Sequence, residues 1–158
     1  MRVNPESGTS VIVGAGSSFG AAIPSNNANT LASFAVVDDS VVSLSRSRDA
    51  QQDSSLFFAL LPEKCSFVAT SLSTLLCAVS TEEVVAPALT LSAWYAGFTI
   101  DSNELWFIDL ARGARTLMLG REDMADLRFD MVEVASDKSQ RFALFTDRQS
   151  RTLWAVRQ

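Results

Sequence analysis

Few residues of this 158-residue chain have the type and spacing to do chemistry. Residues 11–20, VIVGAGSSFG, set a glycine-rich turn after an apolar run, and Asp38 follows 22 residues beyond Gly16 at the end of ASFAVVDD. In a strand-turn-helix-strand unit that spacing suits a dinucleotide: turn N–H groups and a helix N-terminus hold the pyrophosphate, and the acid takes a ribose hydroxyl. Gly14-Ala15-Gly16 is thus the candidate nucleotide site of an α/β reading. Three features oppose it. The third glycine, Gly20, stands one place late, behind Phe19. The helix would have to cross Pro24-Ser25-Asn26-Asn27, where proline removes a donor and Ser and Asn favour turns. The rest of the chain shows no alternation of strands with long helices.

Other chemistry is thinner still. There is no histidine, so Ser-His-Asp and Cys-His nucleophile systems, histidine-ligated metals and imidazole proton shuttles are excluded. Asp38-Asp39 and Glu82-Glu83 are adjacent pairs, and neighbours on a strand point to opposite faces. Cys65 and Cys77, twelve apart in the apolar run CSFVATSLSTLLCAV, match no metal-binding spacing. They are expected to be small buried hydrophobes, which favours a reducing compartment. The most distinctive polar feature is arginine. Eight of eleven fall after residue 111: Arg112, Arg115, Arg121, Arg128, Arg141, Arg148, Arg151 and Arg157. Arginine suits bidentate contact with carboxylate or phosphate, but seven acids, Asp130 and Asp147 among them, are interleaved and can neutralise it locally. The whole chain carries 13 basic and 18 acidic side chains, net −5, which is not the excess of a free-standing nucleic-acid binder.

The elements that must position these residues are read from punctuation and period. With 47% hydrophobic and 20% charged residues the composition is that of one globular domain. Short runs rich in β-branched and aromatic residues recur: SVIV, LASFAVV, VVSLS, SFVATSL, TLLCAVS, ALTLSAWYAGFTI, ELWFIDL, RTLML, FDMVEVA, QRFALFT and RTLWAVR. Turn signals such as Pro62-Glu63-Lys64, Asp101-Ser102-Asn103 and Arg112-Gly113 separate them. Two 17-residue stretches without charge, 65–81 and 84–100, are diluted by Ser and Thr and read as buried strands rather than membrane spans. In ELWFIDL, Leu105 and Phe107 share one face and Trp106, Ile108 and Leu110 the other, so both faces are apolar and the strand should lie between layers. In RFALFT, Phe142, Leu144 and Thr146 oppose Ala143 and Phe145; in RTLWAVR, Leu153 and Ala155 oppose Trp154 and Val156. Helix competes only in EDMADLRFDMVE, where Met124, Leu127 and Met131 fall at helical spacing.

Residues 88–158 resemble WD-type β-propeller repeats. ELWFIDLARGARTL stands where such a repeat writes its terminal strand and the following hairpin, and VEVASDKSQRFALFTDRQSRTLWAVR reads as a complete strand-turn-strand-turn-strand cycle. Trp106 and Trp154 are 48 residues apart, slightly above the repeat of about 40–45. No Gly-His pair is present, and Ile108-Asp109 and Trp154-Ala155 stand in for Trp-Asp. SQRFALFTDRQSRTLWAVR is similar to a blade of the non-catalytic WD-repeat subunit family of tRNA (guanine-N7) methyltransferases, in which the propeller braces a catalytic partner. VIVGAGSSFGAAI and VEVASDKSQRFALFT resemble repeats of the chromosome-condensation-regulator type.

The expectation is therefore an all-β fold of short antiparallel strands, a partial or small β-propeller-like array, with a β-sandwich as alternative and a Rossmann-like α/β fold behind it. One structural domain is expected: a polar leader at 1–10, neither signal peptide nor transit helix, a first β unit at 11–44, a Ser-rich charged linker at 45–55 and a β-repeat region at 56–158. The expected function is a non-catalytic interaction or scaffold subunit, not an enzyme, with no cofactor, no metal and no small-molecule substrate. The alternatives are an accessory subunit of an RNA-modifying enzyme and the nucleotide-binding reading of Gly14-Ala15-Gly16. Candidate interaction residues are Arg112, Arg115, Arg121, Trp106 and Trp154. Partners are a protein or a second copy of the chain, with RNA reached through a complex and no membrane, inside the cell in cytoplasm or nucleus. At about 40–45 residues per blade the length makes three to four blades, fewer than most closed rings hold, so the expectation is a partial ring completed by a partner or second copy, the start of a longer polypeptide, or a compact sandwich; unclosed sheets leave edges to be covered, and association is implied by that reading.

Overall fold

A computed structural model gives the architecture. It describes the backbone of strands between residues 2 and 55, and residues 61–81, 94, 96–97, 100–125 and 127–157 together with their side chains. The described chain is strands and two short 3-10 turns, and the expected all-β class holds.

The first sheet is an antiparallel meander of six strands in chain order: β1 (Arg2–Val3), β2 (Ser10–Val13), β3 (Phe19–Pro24), β4 (Thr30–Val37), β5 (Ser40–Ser47) and β6 (Ser54–Ser55). This corrects the α/β alternative. The segment that should have opened a helix after Gly14-Ala15-Gly16 is β3, paired antiparallel to β2 with Val13 opposite Phe19. The glycines themselves, with Asp38 and Asp39, lie outside the described residues. Within 45–55, Ser45 pairs with Ser54 and Leu44 with Ser55.

The second sheet orders β10-β9-β8-β7, with β7 at Cys65–Phe67, β8 at Thr74–Ser80, β9 at Asn103–Asp109 and β10 at Ala114–Leu119. The third orders β11 (Met131–Ser136), β12 (Phe142–Asp147) and β13 (Thr152–Arg157). All neighbours run antiparallel. Alternation decides what each face buries. From the second sheet, Leu76, Ala78 and Leu105 pack against Met131, Val134, Ala143 and Phe145 of the third, with Met124 and Phe129 closing the layer. On the opposite face Cys65, Phe67, Leu75, Cys77, Val79 and Ile108 form a second cluster. Each such large side chain, withdrawn from water, stabilises the fold by about 1.5–3 kcal/mol. Thus β8 and β9 are apolar on both sides because both sides are covered, as the ELWFIDL pattern predicts. β12 and β13 differ. Ala143 and Phe145 are buried, but Phe142 is 38% exposed and Leu153 is 68% exposed, so one face of the third sheet is open.

One further expectation is corrected and one ambiguity is resolved. Cys65 and Cys77 sit directly opposite each other on β7 and β8 and are joined by a disulfide. With it goes the argument from unpaired thiols for a reducing compartment. The helical spacing of Met124, Leu127 and Met131 yields only a 3-10 turn at Arg121–Met124. Ala125 then turns left-handed at φ 46°, Leu127 is 52% exposed, and Met131 is buried on a strand. Of the two uncharged stretches, 65–81 is the β7–β8 hairpin, while 84–100 lies mostly outside the described residues. No helix among the described residues is long and apolar enough to cross a membrane.

Candidate functional site

The ionisable groups that the fold gathers are ones the sequence shows only as punctuation. Lys64 ends the 3-10 turn Pro62–Lys64 and immediately precedes β7; Asp101 and Asn103 lead into β9; Asp130 precedes β11; Arg148 follows β12. The entry and exit points of four strands in two sheets therefore converge. Lys64 is 2% exposed and Asp130 not at all. The lysine ammonium spends its three donors on Asp101 Oδ2 at 3.1 Å, Asn103 Oδ1 at 2.7 Å and Asp130 Oδ1 at 2.7 Å. Trp94 Nε1 donates to both Asp130 oxygens, at 3.2 and 3.0 Å, and Arg148 Nη1 donates to Asp130 Oδ2 at 3.2 Å. Arg148 also donates to the Trp94 carbonyl and stacks over its ring at 4.4 Å, while Lys64 approaches the same ring at 5.1 Å. Asp101 is further held by Asn103 Nδ2 at 2.8 Å and Ser80 Oγ at 2.7 Å. Backbone bonds extend the seam: Met131 N–H donates to Asn103 Oδ1 at 2.8 Å, and Asn103 N–H to the Phe129 carbonyl at 3.0 Å.

The chemistry of this cluster follows from its saturation. An ammonium with three bonded acceptors offers no lone pair to a substrate, and a carboxylate with both oxygens occupied is poorly placed to take a proton. The two cations and two carboxylates cancel. Such a closed, buried set is a fastener, since losing either partner of a pair leaves an uncompensated charge in a dry place. No group of three or more potential metal-ligating side chains occurs among the described residues.

Asp147 anchors the β12–β13 turn beside this seam. Its Oδ1 accepts from Asp130 N–H at 3.2 Å, and its Oδ2 accepts from Ser150 N–H at 3.0 Å and the Ser150 hydroxyl at 2.7 Å. Burial pushes its pKa up, but those hydrogen bonds outweigh burial and hold it below the ordinary 3.8. Asp137 plays the same part in the β11–β12 turn, accepting from the Ser139 hydroxyl and from Phe142 N–H, and its pKa is also lowered, chiefly by the serine.

The candidate interaction residues fall into two places. Arg115 on β10 lies over the Trp106 ring at 5.9 Å, and Trp106 Nε1 donates to Glu104, which also accepts from Arg121 N–H at 3.2 Å. Arg112 sits in the β9–β10 turn, 3.8 Å from Asp109. All four lie on or beside the β9–β10 hairpin, Arg112 at its turn, Arg115 on the edge strand β10, Arg121 just past that strand's other end and Trp106 on the inner strand β9. Trp154 is elsewhere, on β13 with its ring 4.9 Å from Phe129. Lys64, Asn103 and Asp101 were legible only as turn residues, although one signal exists: in Lys64-Cys65 and Phe129-Asp130-Met131 a charge abuts a buried apolar residue directly.

No protein-family model matches the chain, and no curated protein matches it. Among solved structures it is similar to TolB from Acinetobacter baumannii, with a TM-score of 0.50 and 13% identity over 82% of this chain and 26% of that one. The likeness is one of fold, of the β-propeller type. This chain spans about a quarter of the length of that protein.

Proposed function

We propose that the protein is a non-catalytic interaction subunit, a propeller-like stack of sheets whose work is to present surface to another macromolecule. The observation that carries this reading is an asymmetry. The buried ionisable cluster is saturated and neutral, whereas one face of the third sheet and its last strand are open, with Leu153 68% exposed. Ionisable groups here fasten sheets; uncovered apolar surface is what remains to act. Nicotinamide, flavin and adenosylmethionine cofactors should give no thermal shift. A saturable shift with any of them would overturn the reading.

A second reading, accessory subunit of an RNA-modifying complex, is favoured by the Arg112, Arg115 and Arg121 edge, where an arginine lies over Trp106 in a manner suited to stacking and phosphate contact. Its test is a fluorescence-anisotropy titration with a single-stranded RNA. Affinity that falls with salt and is lost in the triple alanine variant supports it; binding unaffected by the three substitutions removes it.

A further inference from the structure

Lys64, Asn103 and Asp130 stand at or just before the starts of β7, β9 and β11, so the turns that follow these strands lie at the far end of the two sheets from the buried seam. Those turns touch one another. The β7–β8 turn is in the middle: its Ser73 carbonyl accepts from Leu110 N–H of the β9–β10 turn at 2.8 Å, and on its other side the Thr70 hydroxyl accepts from Gln140 Nε2 of the β11–β12 turn. Leu72 stands in that middle turn and is 51% exposed.

The turns on either side sort their charges in the same way, acid inward and cation outward. Asp109 Oδ1 accepts from Ala111 N–H at 2.9 Å and from Arg112 N–H at 3.2 Å. Asp137 accepts from Ser139 N–H at 3.1 Å and from Phe142 N–H at 2.8 Å. Both carboxylates are half-buried, whereas Arg112, Lys138 and Arg141 are exposed. The Arg112 side chain is 83% exposed and stands 3.8 Å from Asp109, a pairing that contributes little in water. Lys138 and Arg141 form no ion pair among the described residues. An apolar tip is thus flanked on each side by a cationic turn, in a chain whose net charge is −5. None of the three turns, 68–73, 109–113 and 137–141, contains an aromatic side chain on which a base could stack, which favours a protein ligand over a single-stranded nucleic acid.

We propose that this end of the second and third sheets docks a short acidic segment of a partner protein, with an apolar side chain of that segment on Leu72 and carboxylates on either side of it paired with Arg112 and with Lys138 and Arg141. Burial of the apolar contact would supply affinity, and the flanking cations would select the partner. The inference rests on the interaction-subunit reading and names the partner's chemistry.

The probe is the fluorescein-labelled peptide Asp-Glu-Ala-Leu-Ala-Glu-Asp, compared with its amide analogue Asn-Gln-Ala-Leu-Ala-Gln-Asn and titrated against the intact chain by anisotropy at low salt. The acidic peptide should bind at least about tenfold more tightly, and its affinity should fall as salt is added. The variant Arg112→Ser, Lys138→Ser, Arg141→Ser should lose at least about tenfold while keeping the parent's urea midpoint, because all three positions are exposed. Leu72→Ser should weaken the acidic peptide about fivefold. Equal binding of the two peptides, no binding of either, or binding that survives the triple substitution would overturn the proposal. So would an oligouridylate that binds more tightly than the acidic peptide and is lost in the same variant, since that result assigns these turns to nucleic acid. Peptide failure with no cofactor shift sinks this inference alone, whereas a cofactor shift sinks the reading beneath it.

Discussion

Lys64 and Asp130, each the last residue before the first strand of its sheet, meet at 2.7 Å with less than a twentieth of either side chain in water. Equivalent positions in successive sheets have thus acquired opposite charges and become the seam between them. The other ionic members, Asp101 and Arg148, complete the pairing.

Replacing Lys64 by Met should therefore cost far more than its packing. Asp101 would lose its cation and Asp130 one of its two, leaving Arg148 alone against two carboxylates, and loss of one partner of a buried pair costs about 3–5 kcal/mol. Denaturant unfolding of Lys64→Met should show this. The double variant Lys64→Met, Asp130→Leu should be less damaged than the two single changes added together. Strict additivity would mean that the two residues do not act as a pair.

The two faces of the third sheet should respond unequally to truncation. Phe145, 1% exposed between the sheets, should lose about 3–5 kcal/mol as Phe145→Ala. Leu153→Ser on the open face should change stability by no more than about 0.5 kcal/mol. Urea midpoints of the two variants are the measurement.

Reduction should loosen the β7–β8 hairpin. Intact-mass measurement without reductant should find the chain two hydrogens lighter than its reduced form. Closing the twelve-residue separation of Cys65 and Cys77 should contribute about 2–4 kcal/mol, visible as a lower denaturation midpoint in the reduced chain. Two free thiols in the natively isolated protein would refute the pairing.

Acid should attack the β12–β13 turn through Asp147. Its folded pKa lies below the ordinary 3.8, so its contribution is fully present above that pH and is lost as pH falls through the lower folded value. Asp147→Asn should flatten that part of the stability curve and leave the curve near neutrality parallel to the parent's. An unchanged acid limb would assign the dependence to other carboxylates.

How much of this was legible in the sequence depended on whether the physics was local. TLLCAVS is β8 to the residue, because a run of buried β-branched and aliphatic side chains between turn residues has one reading. The two-sided burial of ELWFIDL could be read too, since period two assigns each residue to a face without knowledge of the partner. The EDMADLRFDMVE ambiguity resolved toward strand because Asp130, held by four hydrogen bonds from three side chains, fixes the chain just before Met131. The seam was not legible: the three acceptors of Lys64 lie 37 to 66 residues from it, and nothing local distinguishes a lysine in a turn from one that is swallowed. The disulfide was missed for the same reason, because only strand register sets Cys65 opposite Cys77.

The cancellation of charge inside the seam has a consequence for how such a protein could be handled by its surroundings. Dissolved ions screen what they can reach, and they reach Arg151 and Arg157 but not Lys64. A rise in ionic strength would therefore weaken the reach of the exposed arginines while leaving the joint between the layers untouched. Surface charge and internal cohesion answer to separate controls.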